Sequence, residues 1–198
     1  MSHALPAVLF LHGFLSSPTS TKAQQLATWL APEGVPYVCP QLSISPHEAI
    51  EQAEAAVDEL LDRGLAPRII GSSLGGFYAR FLMETHPGRA GFRCGLINPA
   101  VAPAQALAGQ VGVHKAWHSD DRLEFREDYL QDLRDMERPI TQAHRYFLIA
   151  ATGDELLSWE EMVACHPGAK HHVVQGSDHG LSDFDQHWPA LRSFLFEA

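Results

Sequence analysis

Six short runs of apolar residues punctuate the chain: Ala7–Leu11 (AVLFL), Val35–Cys39 (VPYVC), Arg68–Gly71 (RIIG), Cys94–Ile97 (CGLI), Tyr146–Ala150 (YFLIA) and His172–Gln175 (HVVQ). Each is brief and rich in Val, Ile, Leu or Phe. A strand covered on both faces needs apolar side chains on both, so it reads as a continuous run rather than an alternation. Pro36 stands at the start of its run, where a strand tolerates a missing N–H. Between the runs, apolar positions fall at helical spacing. The clearest stretch is Pro46–Arg63, where Ala49, Ile50, Ala53, Val57, Leu60 and Leu61 form one stripe. Ser45 fits an N-cap, Pro46 a first-turn residue, Glu48 the partner of Ser45 in a capping box, and Gly64 the C′ position. Further helices are predicted at Thr19–Leu30, Leu74–Thr85, Arg126–Met136, Trp159–Cys165 and Asp183–Phe196. His86-Pro87-Gly88 and His166-Pro167-Gly168 read as helix exits.

Six strands alternating with helices predict an α/β protein, a doubly wound and mainly parallel six-stranded sheet with helices on both faces. The expected strand order is 2-1-3-4-5-6, with a switch point between strands 1 and 3. A ligand would lie beyond the carboxyl ends of those strands. Residues 1–198 read as a single domain. The one long connection, Pro99–Ala143, carries at least one helix and is the only room for a small lid.

Composition narrows the partners. A chain of 198 residues can bury roughly 70% of its unfolded surface, enough for a full core without staples. Hydrophobic residues are 45% and charged residues 19%, which excludes a disordered chain. Twenty-four acidic against fourteen basic side chains give a formal charge of −10, which disfavours nucleic acid and anionic membrane. Cys39, Cys94 and Cys165 are widely spaced, with no CxxC. They predict no disulfide framework and fit a reduced, cytoplasmic setting. No run approaches the ~20 apolar residues that span a bilayer.

The chemistry concentrates at strand ends. Gly71-Ser72-Ser73-Leu74-Gly75 follows one predicted strand and opens a helix. It fits G-x-S-x-G, in which small residues permit a tight strand-to-helix turn that exposes the central serine, Ser73. Ser72 has a hydroxyl but the wrong place in the motif. An elbow serine needs a base and an acid that orients it, in the chain order serine, acid, histidine. Asp154, in Thr152-Gly153-Asp154-Glu155, follows the fifth run, and His179, in Gly176-Ser177-Asp178-His179-Gly180, follows the sixth. Glu155 is a weaker alternative acid. His166, His171, His172 and His187 lie on predicted helices, at a helix end or at the wrong end of a strand. A metal site from His171, His172 and His179 lacks ligand spacing, so no metal and no cofactor is expected. Backbone N–H groups of Leu74 and of Phe14, in the loop after the first run, would form an oxyanion hole. His12, in the same loop, reads as a structural residue. Leu15, Trp117 and Phe125 are pocket candidates, with His118 and Leu123 near them. Simple packing over the sheet edge accounts for the four residues of the long connection equally well.

These residues resemble the α/β-hydrolase superfamily and, within it, the small YqiA-type esterases. The resemblance rests on LHGFLSSPTSTKAQQL, CPQLSISPHEA, GSSLGGFYA, INPAV, TGDELL and GSDHG followed by DF, from Leu11 to Phe184. It implies a compact serine esterase acting on short acyl esters, with Ser73 as nucleophile, Asp154 as acid and His179 as base. The expected partner is a small ester molecule. Two other readings compete. One is a thioesterase acting on acyl-CoA or acyl-protein, and the other is a retired hydrolase fold used for binding.

Overall fold

The computed structural model describes residues 4–115 and 122–197. Among them, six strands form one parallel sheet: β1 (Pro6–Leu11), β2 (Tyr37–Val38), β3 (Ala66–Ser72), β4 (Arg93–Ile97), β7 (Tyr146–Ala151) and β8 (Lys170–Val174). Two more, β5 (Gly112–Lys115) and β6 (Arg122–Phe125), pair as a separate antiparallel hairpin. The helices are α1 (Thr21–Leu30), α2 (Pro46–Asp62), α3 (Leu74–Thr85), α4 (Pro103–Ala106), α5 (Asp128–Asp135), α6 (Trp159–Cys165) and α7 (Phe184–Phe196).

The main sheet runs β2-β1-β3-β4-β7-β8. This amends the expected order 2-1-3-4-5-6, because the hairpin enters the chain between the fourth and fifth strands of the sheet. The hairpin escaped the sequence reading for a physical reason. Its strands are four residues long and alternate in exposure, so they make no continuous apolar run. The long connection therefore holds α4, the hairpin and α5.

Alternation along the central strands feeds two cores. Leu9, Leu11, Ile69, Leu96 and Leu148 pack with α2, α3, α5 and α6 on one face. Val8, Phe10, Ile70, Ile97 and Ile149 pack with α1 and α7 on the other. Each such side chain stabilises the fold by about 1.5–3 kcal/mol relative to an exposed one. The register places Leu9 beside Ile69 and Leu96 beside Leu148. It aligns the carboxyl ends of β1, β3, β4 and β7 along one edge.

Helix α2 departs from its expected start. The Ser45 side chain makes no cap hydrogen bond. Ser43 Oγ instead donates to Glu48 Oε2 at 2.6 Å and accepts from Ser45 N at 3.1 Å, so the bracing hydroxyl lies two residues upstream. The expected end holds. Gly64 adopts φ +71°, with Leu65 N bonded to Leu60 O and Gly64 N to Leu61 O, a Schellman closure.

Candidate functional site

Strand β3 ends at Ser72 and helix α3 begins at Leu74, which leaves Ser73 alone to turn the chain. Its φ is +55° and ψ is −122°, a conformation that costs an ordinary residue of order 1–3 kcal/mol. The turn is clamped on both sides. Ser73 N donates to Ile97 O at 3.0 Å, and Ser73 O accepts from Gly76 N and Ala100 N. Gly75 is required because a methyl group there would collide with the Leu11 carbonyl. The β1 loop also passes close: a methyl group on Gly13 would lie 3.2 Å from Ser73 Cβ.

The turn presents the Ser73 hydroxyl to His179, with Oγ and Nε2 2.9 Å apart. On the far side of the ring, His179 Nδ1 lies 2.8 Å from Asp154 Oδ2. Facing a carboxylate, Nδ1 carries the ring proton, so Nε2 is the lone-pair atom and accepts from the serine. The Asp154 side chain is wholly buried, while that of His179 is 17% exposed. Burial pushes the Asp154 carboxyl upward. The His179 bond and two backbone bonds outweigh it and hold the group below the usual carboxylate range. Those two bonds come from Leu156 N and Leu157 N, which donate to Oδ1 at 2.8 and 2.9 Å. Geometry therefore gives the ring nitrogen to Asp154 and not to Glu155. Glu155 Oε2 accepts from His179 N at 3.0 Å and braces the loop instead.

Asn98 is a residue that the sequence reading passed over. It is fully buried, sits just past β4 and has φ +41°. Its Nδ2 donates to the carbonyls of Asp178 and His179 at 3.1 and 3.0 Å, and its Oδ1 accepts from Ala151 N at 2.9 Å. One amide thus ties the histidine loop to the end of β7. The signal was present as the asparagine of INPAV directly after an apolar run. Its partners lie more than fifty residues away in the chain, so nothing local announced them.

A cleft of about 790 Å³ opens over Ser73 and His179. Phe14, Leu15, Leu74, Leu107, Leu156 and Leu157 supply apolar walls. Leu74 begins α3, so its N–H has no carbonyl of a preceding turn to bond. Leu15 holds φ +55°. Phe125 does not line the cleft. It is 1% exposed and stands behind Phe14, edge to face at 5.2 Å. Leu123 lines a small cavity beside His12 that adjoins the cleft and shares Phe14, Leu15 and Leu74 with it. Trp117 and His118 lie outside the described residues. His12 accepts from Leu42 N through Nε2 at 3.0 Å, a bond from the loop that follows β2. His171 and His172 do not converge with His179: they go to His166 O and to His187. His166 faces Met162 O, and burial pushes its ring down to about 4. No helix among the described residues is long and apolar enough to cross a membrane.

Solved structures share this arrangement of sheet and helices. A protein from Agrobacterium vitis S4 superposes with a TM-score of 0.75 at 20% identity, covering 96% of this chain and 88% of that one. Alpha/beta hydrolase domain-containing protein 10 from mouse gives 0.67 at 17% identity, over 97% and 89%. An esterase from Pyrococcus furiosus gives 0.65 at 17%, over 97% and 81%. The fold is that of the α/β-hydrolases. Within it, residues 7–196 match the model of an uncharacterised protein family, UPF0227, and the chain belongs to that family.

Proposed function

We propose that the protein is a serine hydrolase that cleaves carboxylic esters of short acyl chains. The observation that carries this reading is the hydrogen-bonded chain Ser73 Oγ–His179–Asp154, with spacings of 2.9 and 2.8 Å, beneath an open cleft. Ser73 attacks the ester carbonyl while His179 Nε2 takes its proton. Asp154 holds the ring orientation and stabilises the imidazolium. The carbonyl oxygen, now negative, is received by the N–H groups of Leu74 and Phe14, each worth about 3–4 kcal/mol in the transition state. His179 then protonates the leaving alcohol, and an acyl-Ser73 ester remains. Water, deprotonated by His179, attacks that ester and releases the acid and the free serine. The esterase that shares this fold supports the same class of reaction.

A fluorophosphonate probe tests the reading. The expected result is stoichiometric labelling at Ser73 and loss of p-nitrophenyl butyrate turnover. Unlabelled native protein, or a Ser73→Ala variant that keeps its turnover, overturns it. A panel of oxygen esters and thioesters of graded acyl length then fixes the preferred acyl bond.

A further inference from the structure

The walls of the cleft differ in charge from the rest of the molecule. The protein carries 24 Asp and Glu against 14 Lys and Arg. Among the described residues none of the cleft's lining side chains is a carboxylate, while Lys22 and Lys115 both line it. Lys22 is the second residue of α1 and is half-buried. Its Nζ donates to the carbonyl of Gly180, the residue after His179, and so stands one residue from the proposed base. An ammonium group has three N–H donors and the Gly180 carbonyl takes one. Burial lowers the Lys22 pKa and Asp178 opposes that shift, so the ammonium has lost part of its hydration shell. Two carboxylates stand in the histidine loop and beside it, and each accepts a backbone N–H. Asp178 Oδ1 accepts from Ser182 N, and Glu155 accepts from His179 N. Thr21 and Gln25 extend the polar wall from the same helix, and Lys115 reaches the cleft from β5. A purely apolar acyl ester uses none of these groups.

We propose that the substrate is an ester bearing an anionic group, a carboxylate or a phosphate, which Lys22 binds. The proposal rests on the ester-hydrolase reading above and specifies its substrate class. A charge-assisted hydrogen bond in a partly desolvated cleft is expected to raise kcat/KM by about tenfold or more. The attraction should weaken with salt.

The test compares matched esters. p-Nitrophenyl hemisuccinate is measured against p-nitrophenyl butyrate, which places the charge on the acyl part. 4-Carboxyphenyl butyrate and 4-phosphonooxyphenyl butyrate are measured against phenyl butyrate, which places it on the alcohol. At least one charged ester should exceed its neutral partner about tenfold in kcat/KM at low salt. That ratio should shrink at high salt, fall toward one in Lys22→Gln and survive in Lys22→Arg. Reading the ratio separates recognition from bracing of the histidine loop, since a displaced loop slows both esters alike. A wild-type protein that prefers every neutral ester overturns the proposal, and so does a ratio unchanged in Lys22→Gln. The wild-type and salt measurements stand whether or not the variants fold. Turnover of the neutral esters without preference defeats this proposal alone. Absence of both turnover and Ser73 labelling defeats the ester-hydrolase reading and this proposal with it.

Discussion

In the cleft, His179 stands between Ser73 and Asp154, with contacts of 2.9 and 2.8 Å. In the seam between β8 and α7 the same residue types are wired in another order. Ser177 Oγ donates to Asp183, Asp183 Oδ2 lies 3.3 Å from His187, and His187 meets His172 at 3.0 Å. A hydroxyl becomes a nucleophile when its proton faces a base. Ser177 faces a carboxylate that its own hydrogen bond holds below the usual range, against the opposing pull of burial, with His187 adding to the effect. Such a group is a poor proton acceptor. A positive φ does not by itself distinguish the two serines, since φ is +55° at Ser73 and +61° at Ser177. What differs is the order of the partners, the burial of the carboxylate and the cleft. Asp154 is wholly buried and Asp183 is 31% exposed. Ser73 lines the cleft and Ser177 does not.

The contrast can be broken most directly at the two serines. Ser73→Ala should lower kcat for p-nitrophenyl butyrate by about 10⁶, while Ser177→Ala should stay within about threefold. Comparable losses in both would erase the distinction drawn between them. The carboxylates come next. Asp154→Asn should cost about 10⁴ in kcat, because an amide favours the wrong ring tautomer. Asp183→Asn should cost less than about tenfold, since it touches no reacting atom.

Asn98→Ala sharpens the comparison from the other side, because Asn98 serves the cleft and not the seam. The change leaves the carbonyls of Asp178 and His179 and the N–H of Ala151 without their buried partner. Each such group costs about 1–3 kcal/mol. Denaturant unfolding should report the loss in stability, and kcat should fall further than KM rises. A rise in KM alone would make Asn98 a binding residue.

The smallest effect separates the two regions by pH. Burial, then the His187 charge, holds His172 below the usual histidine range. Its contribution is complete above the unfolded histidine pKa and is lost as pH falls through the lowered folded value. Asp154, also depressed, contributes above the unfolded carboxylate pKa, and its share is lost as pH falls through its own lowered value. Unfolding curves of His172→Gln should therefore diverge from wild type in the histidine range. Those of Asp154→Asn should lie below wild type at neutral pH and converge on it only in the more acidic carboxylate range. A single shared window for both variants would show that the two networks titrate as one.

Much of the fold was legible because its signals are local. Leu74–Thr85 and Trp159–Cys165 have the same bounds in sequence reading and structure. An apolar stripe and a glycine or proline exit report one element's own burial and its own chain reversal. The elbow around Ser73 was legible for the same reason, since glycine spacing is a property of one turn. The hairpin of β5 and β6 was not, because its short strands alternate and carry no buried run. Nor was the bracing of α2 by Ser43, since several nearby hydroxyls can cap one helix start and packing selects among them.

The chain by itself determined which residues could do chemistry: a serine on a glycine-rich turn, then an aspartate and a histidine, each just past an apolar run. Only the tertiary structure decided which of them meet. His179 reaches Ser73 across 106 residues, Asn98 reaches His179 across 81, and Lys22 reaches Gly180 across 158. Parallel strand order and register bring those loops to one edge, and no local pattern encodes a contact between residues so far apart. The same geometry sends Ser177, Asp183 and His187, equally suited by residue type, to a seam away from the cleft. Residue identity sets the available proton donors and acceptors, and their three-dimensional order decides which proton can move.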